Sequence, residues 1–188
     1  MKTTRPEDWK GKIAILIIPS DLYVYVSNEI PVELVKEWGM EGTLVSANKP
    51  YMTMKTYLEK EGIVNRLKYL DCASKFIGAN PEGENLVLLD NPSDLVELTI
   101  SIIKCTKGSS GNSFLVFDSL TTLLIYNKSE DLTRFAHKMG LMMKSKQITT
   151  FFLIVDQETT KEMLKFLSTI ADKIVHLDVN KEGEVYHD

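Results

Sequence analysis

Residues 114–118 read FLVFD. Four apolar side chains run straight into Asp118, a pattern that sets a carboxylate at the carboxyl end of a buried strand. A carboxylate there can orient Mg²⁺ and its waters beside a nucleotide phosphate, with Ser119 next to it. Asp118 is the metal ligand this pattern offers, and only if Mg²⁺ is bound. The plainer reading is that Asp118 caps the turn that follows its strand.

Phosphate chemistry also needs a loop that holds the phosphates. In a sheet protein of this kind it would follow the first apolar run, residues 13–18, which places it in the segment IIPSDLYVYVSN, residues 17–28. A loop of the form GxxxxGK[ST] uses glycines so that backbone N–H groups can curl around the phosphates, and a lysine to neutralise them. The segment has neither residue type. Ser20, Asp21 and Asn28 are its polar candidates. Asp21 would repel a triphosphate, and Tyr23 and Tyr25 are bulky where the backbone must approach one. The tyrosines read equally as packing for a strand-to-helix turn or as a contact surface. A second strand ends in SANKPY, and Asn48 stands where an activating glutamate is expected. An amide can orient water but cannot act as a carboxylate base. Its plainer role is to cap the next helix.

Other chemistry finds no support. His137, His176 and His187 have no metal-ligand spacing, and His137 reads as a rim residue of its helix. Cys72 and Cys105 form no disulfide or metal pattern and fit a reducing compartment. No G-x-S-x-G elbow surrounds Ser119. The glycine-rich stretch GSSGNS, residues 108–113, precedes a strand and so falls at the edge opposite a ligand site. A net charge of −4 supplies no basic face for nucleic acid, which is not expected as a partner. The apolar runs IAILII and FFLIV are too short to span a bilayer, and the opening MKTTRPEDWKGK has no apolar stretch of a signal peptide. A cytoplasmic, membrane-free protein is the expectation.

The elements that would position these residues alternate along the chain. Strands are expected over residues 13–18, 43–47, 67–70, 86–89, 114–117, 151–155 and 174–177. Between them fall helices: one from about Glu29, capped by Asn28 with Pro31 in its first turn; one capped by Asn48 and ended by Gly62; one capped by Ser93 with the stripe Leu95, Leu98, Ile102 and Ile103; one from Glu130 with Leu132, Phe135, Ala136, Met139, Met142 and Met143 on one face; and one opened by a Thr159–Glu162 capping box. Doubly apolar strands separated by helices predict a parallel sheet with helices on both faces. No linker, repeat or low-complexity tract divides the chain, so residues 1–188 are expected to form a single domain with its core over about 12–178.

The string DSLTTLLIY after an apolar strand resembles the Walker B segment of KaiC-like proteins of the RecA ATPase superfamily. GTLVSANKPYMTMKTYLEKEGI, LKYLDCASK, TTFFLIVDQE and STIADKIVHLD resemble their further core strands and helices. The likeness is closest to small archaeal proteins in which an IxPSDxY segment replaces the phosphate loop. It implies a three-layer α/β/α RecA-like P-loop NTPase fold whose first strand is central, beside the Asp118 strand and the strand of residues 151–155. With two parts of the machinery missing, the expected function is that of a catalytically inactive relative, a regulatory or scaffold module that binds a protein partner or itself. Asp118, Ser119, Ser20, Asp21, Asn28 and Asn48 would line a vestigial nucleotide cleft, and Tyr23 and Tyr25 would fill it or form a contact surface. No cofactor is expected. The alternative is an unconventional ATP-binding protein that uses Asp118 for Mg²⁺ and backbone amides near residues 27–29 for phosphate. Without ATP or metal, Asp118 would accept hydrogen bonds from groups such as Ser20 or Thr121.

Overall fold

The computed structural model describes residues 6–109, 111–157, 160–179 and 185–187. The strands are β1 (Ile13–Ile18), β2 (Glu41–Ser46), β3 (Leu67–Asp71), β4 (Leu86–Leu88), β5 (Ser113–Asp118), β6 (Thr149–Val155), β7 (Lys173–Val179) and β8 (Val185–His187). The helices are α1 (Tyr23–Lys36), α2 (Tyr51–Lys60), α3 (Leu95–Cys105), α4 (Leu120–Leu123), α5 (Ser129–Ser145) and α6 (Lys161–Leu167). Every residue of β1 and of β6 is buried, Thr149 and Thr150 included, as the apolar runs IAILII and FFLIV require of strands covered on both faces.

The strands form one sheet in the order β4-β3-β2-β5-β6-β1-β7-β8. All neighbours are parallel except β7 and β8. Alternate residues feed two hydrophobic clusters. Ala14, Leu16 and Ile18 pack with α1 and α2 through Val26, Ile30, Met54 and Leu58. Ile13, Ile15 and Ile17 pack with α3, α5 and α6 through Leu98, Met139, Met143 and Leu167. The architecture is therefore three layers, α/β/α, around a mainly parallel sheet. The methionines at 139 and 143 are core, as their helical spacing predicts, and His137 is half-buried at the rim.

One expectation about the sheet and three about the helices need correction. β1 lies beside β6 and β7, not beside β5, because the crossover from β5 through α5 inserts β6 between them. At ~4.8 Å per strand spacing, β1 and β5 are about 10 Å apart. The antiparallel β8 was not anticipated. α1 begins at Tyr23 rather than near Glu29, so Asn28 is an interior residue and Pro31 sits well inside the helix. The buried set Tyr23, Val26, Ile30 and Leu34 follows a helical stripe that overrides the strand preference of Tyr-Val-Tyr-Val. α2 starts after Pro50, with no side-chain cap from Asn48. α3 is capped by Asp94, whose carboxylate accepts from the Val96 and Glu97 N–H groups, in place of Ser93. α6 is entered through Thr160, while Thr159 lies outside the described residues. The Gly62 turn after α2 is as expected, with φ 71°. Of the loop 108–113, Ser110 lies outside the described residues, and the rest leads into the amino end of β5.

Gly42 pairs with Phe114 where β2 meets β5. A Cβ there would fall 2.5 Å from the Phe114 carbonyl oxygen and against its ring. Gly42→Ala is expected to lower unfolding stability by about 1–3 kcal/mol, the usual cost of overpacking; urea unfolding checks this, and an unchanged midpoint contradicts it.

Candidate functional site

The connections after β1 and β2 turn toward the α1–α2 face, and those after β5 and β6 toward the opposite face. In open α/β sheets, loops that part in this way flank a crevice at the carboxyl edge, and ligands bind there. Register sets three polar residues level across this edge: Ser46 pairs with Asp118 on one side and with Asp71 on the other.

Asp118 ends β5 and is 1% exposed. The bond from Asp118 to Ser119 is a cis peptide. The Tyr23 phenol donates to Asp118 Oδ1, and Asn48 Nδ2 donates in turn to the Tyr23 oxygen at 3.1 Å. Tyr23 opens α1, so its long side chain crosses from the β1 side of the crevice to β5. On the other oxygen, Lys49 Nζ stands 3.3 Å from Oδ2. That is an ion pair, and among the described residues Oδ2 accepts no well-formed hydrogen bond. Two of the ammonium's three donors go to Ser27 Oγ and to Asn28 Oδ1 at 2.8 Å, and it lies 5.6 Å from the centre of the Tyr23 ring. Burial raises the pKa of Asp118, with Lys49 and the Tyr23 hydrogen bond opposing the rise. Burial first, and the neighbouring Asp118 charge second, raise that of Tyr23, which stays a neutral donor.

Lys49 is aimed by its own backbone. The Tyr69 phenol donates to the Lys49 carbonyl at 2.9 Å, the Ser46 hydroxyl donates to the same oxygen at 3.0 Å, and the Lys49 N–H donates back to Ser46 Oγ at 3.2 Å. Asp71, fully buried at the end of β3, accepts from the backbone N–H groups of Tyr51, Ala73 and Ser74 and from the Ser74 hydroxyl. It thereby caps α2 from a neighbouring strand, which explains why that helix needs no local cap.

The sequence-derived candidates divide accordingly. Asp118 and Asn48 come together through Tyr23, and Asn28 joins them through Lys49. Ser119 lies beside them but caps α4 by accepting from the Thr122 N–H. Ser20 and Asp21 are exposed in the turn 19–22 and bond neither oxygen of Asp118. Thr121 is also no partner of Asp118, since its hydroxyl accepts from the Val155 N–H. Tyr23 and Tyr25 do not form one surface: Tyr23 is buried and Tyr25 is 59% exposed. The extended alternation that would have separated odd from even residues does not occur, because the segment is helical. Residues 27–29 lie inside α1, so they offer no helix-terminal amides for phosphate. Ser46, Lys49, Tyr69 and Asp71 are not read from the sequence, and Ser27 enters through its hydroxyl rather than its backbone amide. For Lys49 the signal was present, since a lysine one residue past Asn48 leaves the same sheet edge.

No family model and no curated protein matches the chain. Solved structures do. A KaiC-like protein of the hyperthermophilic archaeon Pyrococcus horikoshii superposes with a TM-score of 0.62 at 13% identity, covering 95% of this chain and 76% of the other. An uncharacterized protein of the same organism, crystallised in complex with an unknown peptide, gives 0.68 at 14% identity, covering 95% and 82%. The three-layer α/β/α fold is therefore shared with this KaiC-like protein and with the second Pyrococcus protein.

Lys49→Met removes the counter-charge of Asp118 and is expected to cost about 3 kcal/mol near pH 8. Asp118 then protonates more readily in the fold. A carboxylate whose folded pKa lies above its unfolded value contributes stability at low pH that is lost as pH rises through the folded pKa. The gap between variant and wild type is thus expected to narrow from about pH 8 to about pH 5. Unfolding curves across that range decide it; a constant gap means that the ion pair is not what the lysine supplies.

Proposed function

We propose that this KaiC-like domain does not hydrolyse ATP and works by binding a protein partner. The observation that carries this reading is the occupancy of the crevice by the chain's own side chains. Asp118 is engaged by Tyr23 and Lys49, and the turn from β1 to α1, residues 19–22, is too short and too glycine-poor to wrap a phosphate.

Mg²⁺ fits poorly here. A divalent ion at Asp118 Oδ2 would meet the Lys49 ammonium, and like charges this close repel strongly out of water. ATP itself would need Tyr23 to leave its buried position. No helix among the described residues is long and apolar enough to cross a membrane. The peptide held by one of the Pyrococcus neighbours supports a protein-binding role for this fold. On this chain the contact surface would include Tyr25 and Val24 at the start of α1 and Met52 at the start of α2. All three are more than half exposed. Tyrosines of this kind bury large area at low entropic cost.

Three measurements test the reading. Calorimetry with ATP and Mg²⁺ is expected to give no binding heat, and a phosphate-release assay no turnover. A magnesium-dependent rate that Asp118→Ala abolishes would refute the proposal. For the contact surface, peptides selected from a displayed library are expected to lose about tenfold or more in affinity on Tyr25→Ala, with the melting temperature unchanged. Equal affinity for the variant removes Tyr25 from the surface.

A further inference from the structure

The Lys49 ammonium is surrounded by oxygen atoms: Ser27 Oγ, Asn28 Oδ1 and Asp118 Oδ2. They come from α1 and from the end of β5, and the lysine reaches them from a separate connection, the one after β2. Among the described residues Asp118 Oδ2 has the Lys49 ammonium at 3.3 Å as its ion-pair partner and no well-formed hydrogen bond, and the Asp118 side chain is fully shielded from solvent. A buried carboxylate oxygen thus points into an oxygen-lined cage that holds the end of a lysine side chain. A hydroxyl, an amide oxygen and a carboxylate make up the hard-donor set of Mg²⁺, Mn²⁺ or Ca²⁺, and suit soft, thiol-seeking ions badly. An ammonium and such a metal ion answer the same electrostatic demand.

We propose that the Lys49 ammonium is a covalently attached stand-in for a divalent cation, and that withdrawing it uncovers a metal site formed by Ser27, Asn28 and Asp118. This rests on the reading of the crevice as filled by the chain itself. The lysine is held to the task by the Ser46 and Tyr69 bonds to its backbone, which fix where its side chain enters. Its side chain is 13% exposed, so its stem connects the cage to solvent. Truncation to alanine leaves a channel along that stem. Water can then reach the cage and complete the coordination of an ion that keeps several of its waters, as Mg²⁺ does. In the unaltered protein the tethered charge makes Asp118 indifferent to metal, and the Tyr23 lock on the crevice does not depend on magnesium.

Titration with Mn²⁺, followed by the loss of its free-ion electron paramagnetic resonance signal, reads the site directly. Thermal unfolding with and without Mg²⁺ provides a second readout. Wild type is expected to bind no Mn²⁺ and to show no shift. Lys49→Ala is expected to bind one Mn²⁺ and to melt several degrees higher with millimolar Mg²⁺. Adding Asp118→Asn to it should abolish both effects. Lys49→Met keeps the stem and frees only the space of the ammonium, so it should fold and bind Mn²⁺ more weakly than Lys49→Ala. Equal Mn²⁺ binding by wild type overturns the proposal. So does binding that survives Asp118→Asn, or a folded Lys49→Ala that takes up no ion. Should Lys49→Ala fold only with help, native circular dichroism that returns with Mg²⁺ but not with chelator supports the site. Failure of that rescue, together with a folded Lys49→Met that ignores Mn²⁺, sinks it. ATP binding by wild type would instead count against the proposed function, so the two ideas fail on different results.

Discussion

A carboxylate taken out of water at the end of a strand must be compensated by hydrogen-bond donors, by a counter-charge or by both, and the carboxyl edge of this sheet is arranged around that demand at Asp118. The donor comes from Tyr23 and the charge from Lys49. Each provider is held by further bonds: Tyr23 receives from Asn48, and Lys49 is clamped through its backbone by Ser46 and Tyr69. The outcome is a network that ties α1, β2, β3 and β5 together around one buried charge.

Strand order dictates who can meet that demand. With β6 between β1 and β5, the turn after β1 is too far away for its short polar side chains to reach Asp118. Ser20 and Asp21 accordingly face solvent, and the gap is bridged by a tyrosine. The early start of α1 serves the same end. Beginning at Tyr23 puts Ser27 and Asn28 one turn further along the helix, where they receive the ammonium. Asp71, level with Asp118 across Ser46, shows the other solution available to a buried carboxylate at this edge. It takes four hydrogen bonds from the start of α2 and the turn after β3, and uses no cation.

On the proposed reading, a crevice neutralised from within has no further call on a nucleotide, and function moves to the surface around it. The helix starts that border the crevice carry exposed apolar side chains, Val24, Tyr25 and Met52. The buried network would then fix the positions of α1 and α2, and with them the shape of that surface.

The alternation of strands and helices and the layering were legible in the amino-acid sequence, because short unbroken apolar runs such as IAILII and FFLIV between turn signals fit strands covered on both faces, and the stripe of α5 fits an amphipathic helix. Asp118 was legible for the same reason: an acid that ends such a run must emerge at the carboxyl edge. The start of α1 could have been read from the spacing of Tyr23, Val26, Ile30 and Leu34, but Pro31 and the β-preferring YVYV run pointed the other way, and packing against the sheet decided it. The partners of Asp118 could not be read at all. Lys49, Tyr23 and Asp118 are far apart in the chain and become neighbours only through strand order and register, so the pairing of charge with charge was decided by the tertiary structure alone.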